Sequence, residues 1–303
     1  MALPAYASPL EKTWHYCYLA ICTLIFLFLI SPILIIMPLS FNAEPYFTFT
    51  EKMLSFDPEG YSMRWYDSLM TFGMQNPEAP RNGHWWSDFW HNAQWMHVAK
   101  NSVIIGFFST LVATVLGTLA ALGLARPEMP FRRAIMAILI SPMIVPIIIT
   151  ATGLFFFYSR IGLQGTYLGV VLAHAVLGIP FVIITVTATL IGFDQSLIRA
   201  AANLGANPRT TFFRVVMPLI LPGVISGALF AFVTSFDEVV VVLFVADHTQ
   251  QTIPRQMWNG IREQISPAIL AVATILVIIS IALLTTVELL RRRSERLRGV
   301  TPR

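Results

Sequence analysis

The stretch DQSLIRAAANLGANPRTTFFRVVM, residues 194–217, lies between two long apolar runs and is followed at once by Pro218. Its tract Ala200-Ala201-Ala202 has side chains small enough for a helix to lie close against another surface. Gly205 can take the positive φ that ends a helix, Ala206 follows it, and Pro208 forbids simple continuation. The spacing predicts two short helices at a bend. A polar helix-turn-helix between membrane spans is shaped to project into the cytosol and fit a groove on a soluble partner. An ordinary amphipathic loop is the plainer alternative.

On either side of this loop the chain is too apolar for an ordinary soluble domain. It has 303 residues, 56% hydrophobic and 12% charged, with the charges bunched between long uncharged stretches. Six runs reach the ~20 residues that a bilayer span needs: 16–39, 102–124, 134–158, 167–191, 219–245 and 268–290. Pro32, Pro146, Pro180 and Pro222 fall inside them and predict kinks or broken helices. Cys17 and Cys22, both in the first run, read as buried structural thiols rather than a disulfide or a metal site.

Basic residues set the orientation. Arg126, Arg132 and Arg133, then Arg199, Arg209 and Arg214, then Arg291, Arg292, Arg293, Arg296 and Arg298 all fall on one side of a six-span arrangement. That side is expected to be cytoplasmic, with both termini inside. The first outside loop carries Glu44, Glu51, Asp57, Glu59, Asp67, Glu78 and Asp88 in excess of its basic residues, so the net charge of +4 reflects topology and gives no reason to expect nucleic acid. The first apolar run lacks a small-residue cleavage site and reads as a retained helix rather than a signal peptide.

The outside loop is rich in rings: Trp65, Tyr66, Trp85, Trp86, Phe89, Trp90 and Trp95. The segment Trp86-Ser87-Asp88-Phe89-Trp90-His91 suits an amphipathic helix in the lipid interface, with a platform for an external partner as the other reading. His84, His91 and His97 have no compact metal-ligand spacing, and His174 reads as a hydrogen-bonded packing residue in preference to a pathway group.

Asp237 and Glu238 stand in the fifth apolar run, where a central acid costs roughly 2.5–3.5 kcal/mol on insertion scales. Two readings compete. The pair is bonded to a neighbouring helix or subunit, or one of the two faces a water-lined route and replaces part of the hydration of a cationic solute. On a continuous helix adjacent residues point about 100° apart, which favours one acid over both for the route.

The loop resembles the EAA loop of permease subunits of ABC importers, whose pattern is E-A-A, three residues, G, nine residues, then I-x-L-P. Here the positions are Arg199-Ala200-Ala201, Gly205, Val215 and Met217-Pro218, so the glycine and proline spacings hold while Arg199 replaces the family's Glu. The likeness extends from Asn101, through an Asn-Ser helix start and Gly117, to Leu290. Ser235-Phe236-Asp237-Glu238, followed by Gln251-Thr252-Ile253-Pro254 and Met257-Trp258, is similar to the second permease subunit of spermidine/putrescine importers. That signature also extends to importers of opines, other organic cations and ferric complexes.

The resemblance implies an all-α integral membrane protein of the bacterial inner membrane, a type I ABC importer permease with six transmembrane helices and a cytoplasmic coupling helix-turn-helix. Residues 1–41 form a cytoplasmic tail and first helix, 42–100 a periplasmic aromatic-rich loop, 101–290 the importer transmembrane domain and 291–303 a basic cytoplasmic tail. Asp237 and Glu238 become candidates for the substrate pathway, and Arg199, Ala200, Ala201, Gly205, Ala206, Pro208 and Pro218 for coupling. Expected partners are a homologous second permease, two ATPase subunits, a periplasmic solute-binding protein and membrane lipid. The lysines are Lys12, Lys52 and Lys100, and none completes G-x-x-x-x-G-K-[ST], so no catalytic role or cofactor is expected here; ATP and Mg would be bound by the ATPases. An ion-coupled secondary transporter is the alternative from another class, but the spans show no repeat.

Overall fold

A computed structural model describes residues 8–126, 128–194, 196–263 and 266–297. Arg298, a member of the basic tail, lies outside them. The chain forms two compact units, one made of the residues up to Phe72 together with those from Gly260 onward, the other spanning Gly73–Asn259.

The first unit holds α1 (Pro9–Leu39), α2 (Glu51–Leu54), α3 (Arg64–Thr71) and α14 (Ala268–Leu297). Helix α1 starts earlier than its apolar run because Ser8 and Glu11 form a reciprocal capping box. Pro32 is accommodated without a break. Cys17 is exposed and Cys22 half-exposed, both free, so the expected burial does not hold: the helix presents apolar residues on most of its surface, as a lipid-facing span does. Beyond α1 the chain folds on itself around Asn42, whose buried side chain bonds Tyr46 O and Thr48 O while its own carbonyl accepts from Trp65 Nε1 at 2.7 Å. Tyr66 OH meets Ser40 Oγ, which fastens α3 to the end of α1.

The second unit begins with α4 (Gly83–Asn92), joined through Ala93 to α5 (Gln94–Leu124). The Asn-Ser helix start expected at Asn101 is therefore mid-helix; the turn that starts α5 is the extended backbone of Ala93, and residues 94–100 suit a helix. Next come α6 (Arg132–Ile144) and α7 (Ile147–Ile161), which meet at 100°. Pro146 has no N–H to donate and pushes Val145 to ψ 132, out of the helical region, so the third span is two helices and not one kinked rod. Helix α8 (Tyr167–Ile191) matches its apolar run and stays continuous through Pro180.

The loop that follows holds α9 (Ser196–Asn203) and α10 (Pro208–Thr211). From α10 the chain passes through a π turn, Phe212–Val216, directly into α11 (Met217–Phe236). The second short helix is thus the foot of a 29-residue rod, Pro208–Phe236, roughly 43 Å long. Pro218 cannot donate within its first turn, and the neighbouring wide turn closes instead through Met217 N to Phe212 O. The fifth apolar run is not one helix either. Helix α11 ends at Phe236, Asp237 to Val239 leave the helical ladder, and α12 (Val240–Val245) precedes α13 (Ile253–Glu263). Pro222, in contrast, breaks nothing.

Among the described residues four helices are long and apolar enough to span a membrane, and five if the bent α6–α7 pair counts as one. In the second unit, α5, α8 and α11 pack on one another through Ala113, Ala121, Val182, Val186, Ile220 and Ala231. Helix α12 packs on α7 and α8 through Val241, Val242, Val245, Ala151 and Val170. Small residues make the close approach possible: a Cβ on Gly227 would stand 2.5 Å from Thr185 Oγ1 and 2.8 Å from Val182 Cα.

Candidate substrate pathway and coupling surface

The break after α11 separates the two acids. Asp237 closes the last turn through its N–H to Val233 O at 3.0 Å, and its side chain is exposed. Glu238 is 8% exposed and its Oε1 accepts from Val241 N at 2.8 Å, satisfying an orphan amide at the start of α12. The pair reading and the route reading each describe one member. Sequence periodicity missed this because it assumed a continuous helix.

Behind the break lies a buried polar cluster. Ser109 Oγ donates to Ser235 Oγ at 2.8 Å, and His174 Nδ1 stands 2.8 Å from the same oxygen. His174 is 1% exposed, in keeping with the packing reading.

A second set of contacts ties the loop after α12 to α5 and α8. Asn101 Nδ2 donates to Thr249 O and Gln251 O, each at 2.9 Å, while Tyr167 OH donates to Asn101 Oδ1. Ile253 N donates to Ser102 Oγ, and Arg255 Nη1 bonds Val242 O, Ala246 O and Asp247 O at the end of α12. None of these partners was legible in the sequence, where Asn101 and Ser102 looked like a helix start.

In the cytoplasmic loop, Gly205 has φ +79, its N–H bonds Ala202 O, and Ala206 N bonds Ala201 O. This is the paired closure of a Schellman end, as the glycine predicted. Asn207 caps α10 by accepting from Thr210 N. Ile198, Ala202, Ala206, Pro208, Thr211, Phe212 and Val216 line a cavity of about 430 Å³ between the two short helices. Ala201 is buried, whereas Arg199, Ala200 and Pro218 are exposed, and Leu204 and Phe213 project at 88% and 66% exposure. The Ser196 hydroxyl and amide hold the Asp194 carboxyl below the usual carboxylate range, and the charge of Arg199 acts in the same direction.

On the aromatic helix α4, Trp85 is buried and stacks on Phe89, while Trp86 and Trp90 are exposed. His91 and His97 donate to backbone carbonyls, Ser87 O and His91 O.

Comparison with known proteins follows this geometry. The family described as "Binding-protein-dependent transport system inner membrane component" matches residues 113–298. The spermidine/putrescine transport system permease protein PotC of Haemophilus influenzae is 29% identical over 271 residues, covering 89% of this chain and 95% of its own. The putrescine transport system permease protein PotI of Escherichia coli K12 is 27% identical over 281 residues, 90% of this chain and 88% of its own. Among solved structures, a bacterial ABC transporter involved in the import of the acidic polysaccharide alginate superposes with a TM-score of 0.70 at 14% identity, covering 94% of this chain and 99% of that one. That likeness concerns the fold.

Proposed function

Because the chain belongs to the family of binding-protein-dependent transport system inner membrane components, as a permease subunit of an ABC importer, we propose that it carries a small organic polycation such as spermidine or putrescine. The observation that carries this reading is the exposed Asp237 carboxylate at a break inside an apolar span, in a chain similar over most of its length to polyamine permeases. A polycation sheds water more readily beside fixed negative charge in a low-dielectric passage. Retention there stays weak, since conduction requires release. Glu238, committed to the start of α12, shapes the break and leaves Asp237 as the pathway acid.

The cytoplasmic loop is the coupling element. Its cavity and the projecting Leu204 and Phe213 offer an apolar relief for an ATPase groove, and Arg199 suits an acidic neighbour there. The rod Pro208–Phe236 runs without interruption from that surface to Asp237, so displacement at the loop reaches the pathway along one helix. Two ATPase subunits that bind ATP and Mg, a second permease and a periplasmic solute-binding protein complete the importer, with both termini in the cytoplasm.

Reconstitution with those partners tests the proposal. Spermidine uptake should require hydrolysis-competent ATPases, survive collapse of the proton gradient and fall on Asp237→Asn. Uptake that follows the gradient and ignores the ATPase would defeat it.

A further inference from the structure

Helices α5, α8 and α11 meet in two stacked layers. In one, a Cβ on Gly178 would stand 2.9 Å from that of Ala231 and 3.2 Å from that of Ala113, so the three backbones approach as closely as small residues allow. One turn away, toward the Tyr167 end of α8, residues four positions off on each helix share those faces: Ser109, His174 and Ser235. There the Ser235 hydroxyl is held from both neighbouring helices, by Ser109 Oγ and His174 Nδ1, each at 2.8 Å. Ser235 precedes Asp237 by two residues, and on the other side Glu238 Oε1 fixes Val241 N at 2.8 Å. Asp237 therefore projects from a short ledge anchored at both ends.

Packing alone does not account for a histidine here. His174 is 1% exposed and its Nε2 has no partner among the described residues, so an apolar side chain of similar volume would avoid an orphan buried nitrogen. What the imidazole adds is a directed bond to Ser235.

We propose that His174, through Ser235, is a positioning residue for the Asp237 carboxylate. This rests on the reading of Asp237 as the pathway acid. Losing the bond frees the last turn of α11 and lets Asp237 wander from the position in which it meets the solute, while the small-residue layer keeps the helices together.

The test is a set of double-variant cycles on the reconstituted importer, with spermidine uptake and assembly as readouts. His174→Leu and Ser235→Ala should each cut uptake several-fold with assembly retained, and neither should lower it further in an Asp237→Asn background. His174→Asn, whose amide can occupy the place of Nδ1, should recover most of the loss. Losses that multiply in the Asp237→Asn background, or an Asn variant no better than Leu, would overturn the inference and leave the pathway reading intact. Full uptake by Asp237→Asn alone is a different result, and it removes the pathway reading and this inference together. Should His174→Leu fail to assemble, Ser235→Ala deletes one hydroxyl and carries the same comparison.

Discussion

Replacing Gly205 isolates the contribution of one backbone angle. Its φ of +79 lies in the left-handed region, and a Cβ added there meets nothing within 4 Å. Any loss on substitution is therefore conformational and not steric. The left-handed region costs a residue with a Cβ about 1–2 kcal/mol, with Asn better tolerated, and a β-branched residue is a still poorer fit. A change of about 1–2 kcal/mol moves the balance between the closed turn and its opened forms by roughly 5–30-fold. The two bonds at stake are Gly205 N to Ala202 O and Ala206 N to Ala201 O, so amide exchange at positions 205 and 206 reports the turn directly. Substrate-stimulated ATP hydrolysis by the assembled importer reports its use. Both should worsen in the order Asn, Ala, Val, with the protein still in the membrane. Wild-type exchange in Gly205→Val would refute the conformational argument. Faster exchange with unchanged hydrolysis would keep the turn and remove its role in coupling.

Other expectations are as direct. Asp237→Asn should lower spermidine uptake while Glu238→Gln stays close to wild type, because a Gln Oε1 still accepts from Val241 N; equal losses in the two variants would contradict the division of roles. Gly227→Ala forces a Cβ to 2.5 Å from Thr185 Oγ1 and should destabilise the α8–α11 pair by about 1–3 kcal/mol. Its melting midpoint in detergent should fall below that of Gly153→Ala, where an added Cβ has open space, and matching midpoints would discount the close approach. The Asn76 amide, then the Asn92 side chain, hold Asp88 below the usual carboxylate range. A depressed folded pKa gives stability that is present above about pH 4 and lost as the pH falls through the folded value, so Trp fluorescence of the α4 segment should titrate in acid. The same acid titration in Asp88→Asn would dismiss that source. A resolved complex should set an acidic ATPase side chain within about 4 Å of the Arg199 guanidinium, and an interface with no acid near it would remove that pairing.

The sequence by itself determined what depends on short windows. Apolar runs of span length located the membrane helices, and α8 matched its run to the residue. Gly205 announced a left-handed helix end because few residues tolerate that angle, and the structure closes the turn there. Proline was a weaker guide. Pro146 breaks its span, but Pro32, Pro180 and Pro222 do not, since neighbouring groups can absorb one missing donor. What only the tertiary structure decided depends on residues far apart in the chain. Asp237 and Glu238 are neighbours in sequence with similar chemistry, and no local rule says that one is exposed while the other seals a helix start. His174 and Ser235 are 61 residues apart, and Asn101 and Gln251 150 apart, so their bonds exist only once the helices have packed. Hydropathy and backbone preference are properties of a segment, whereas exposure and hydrogen-bond partnership are properties of the assembled fold.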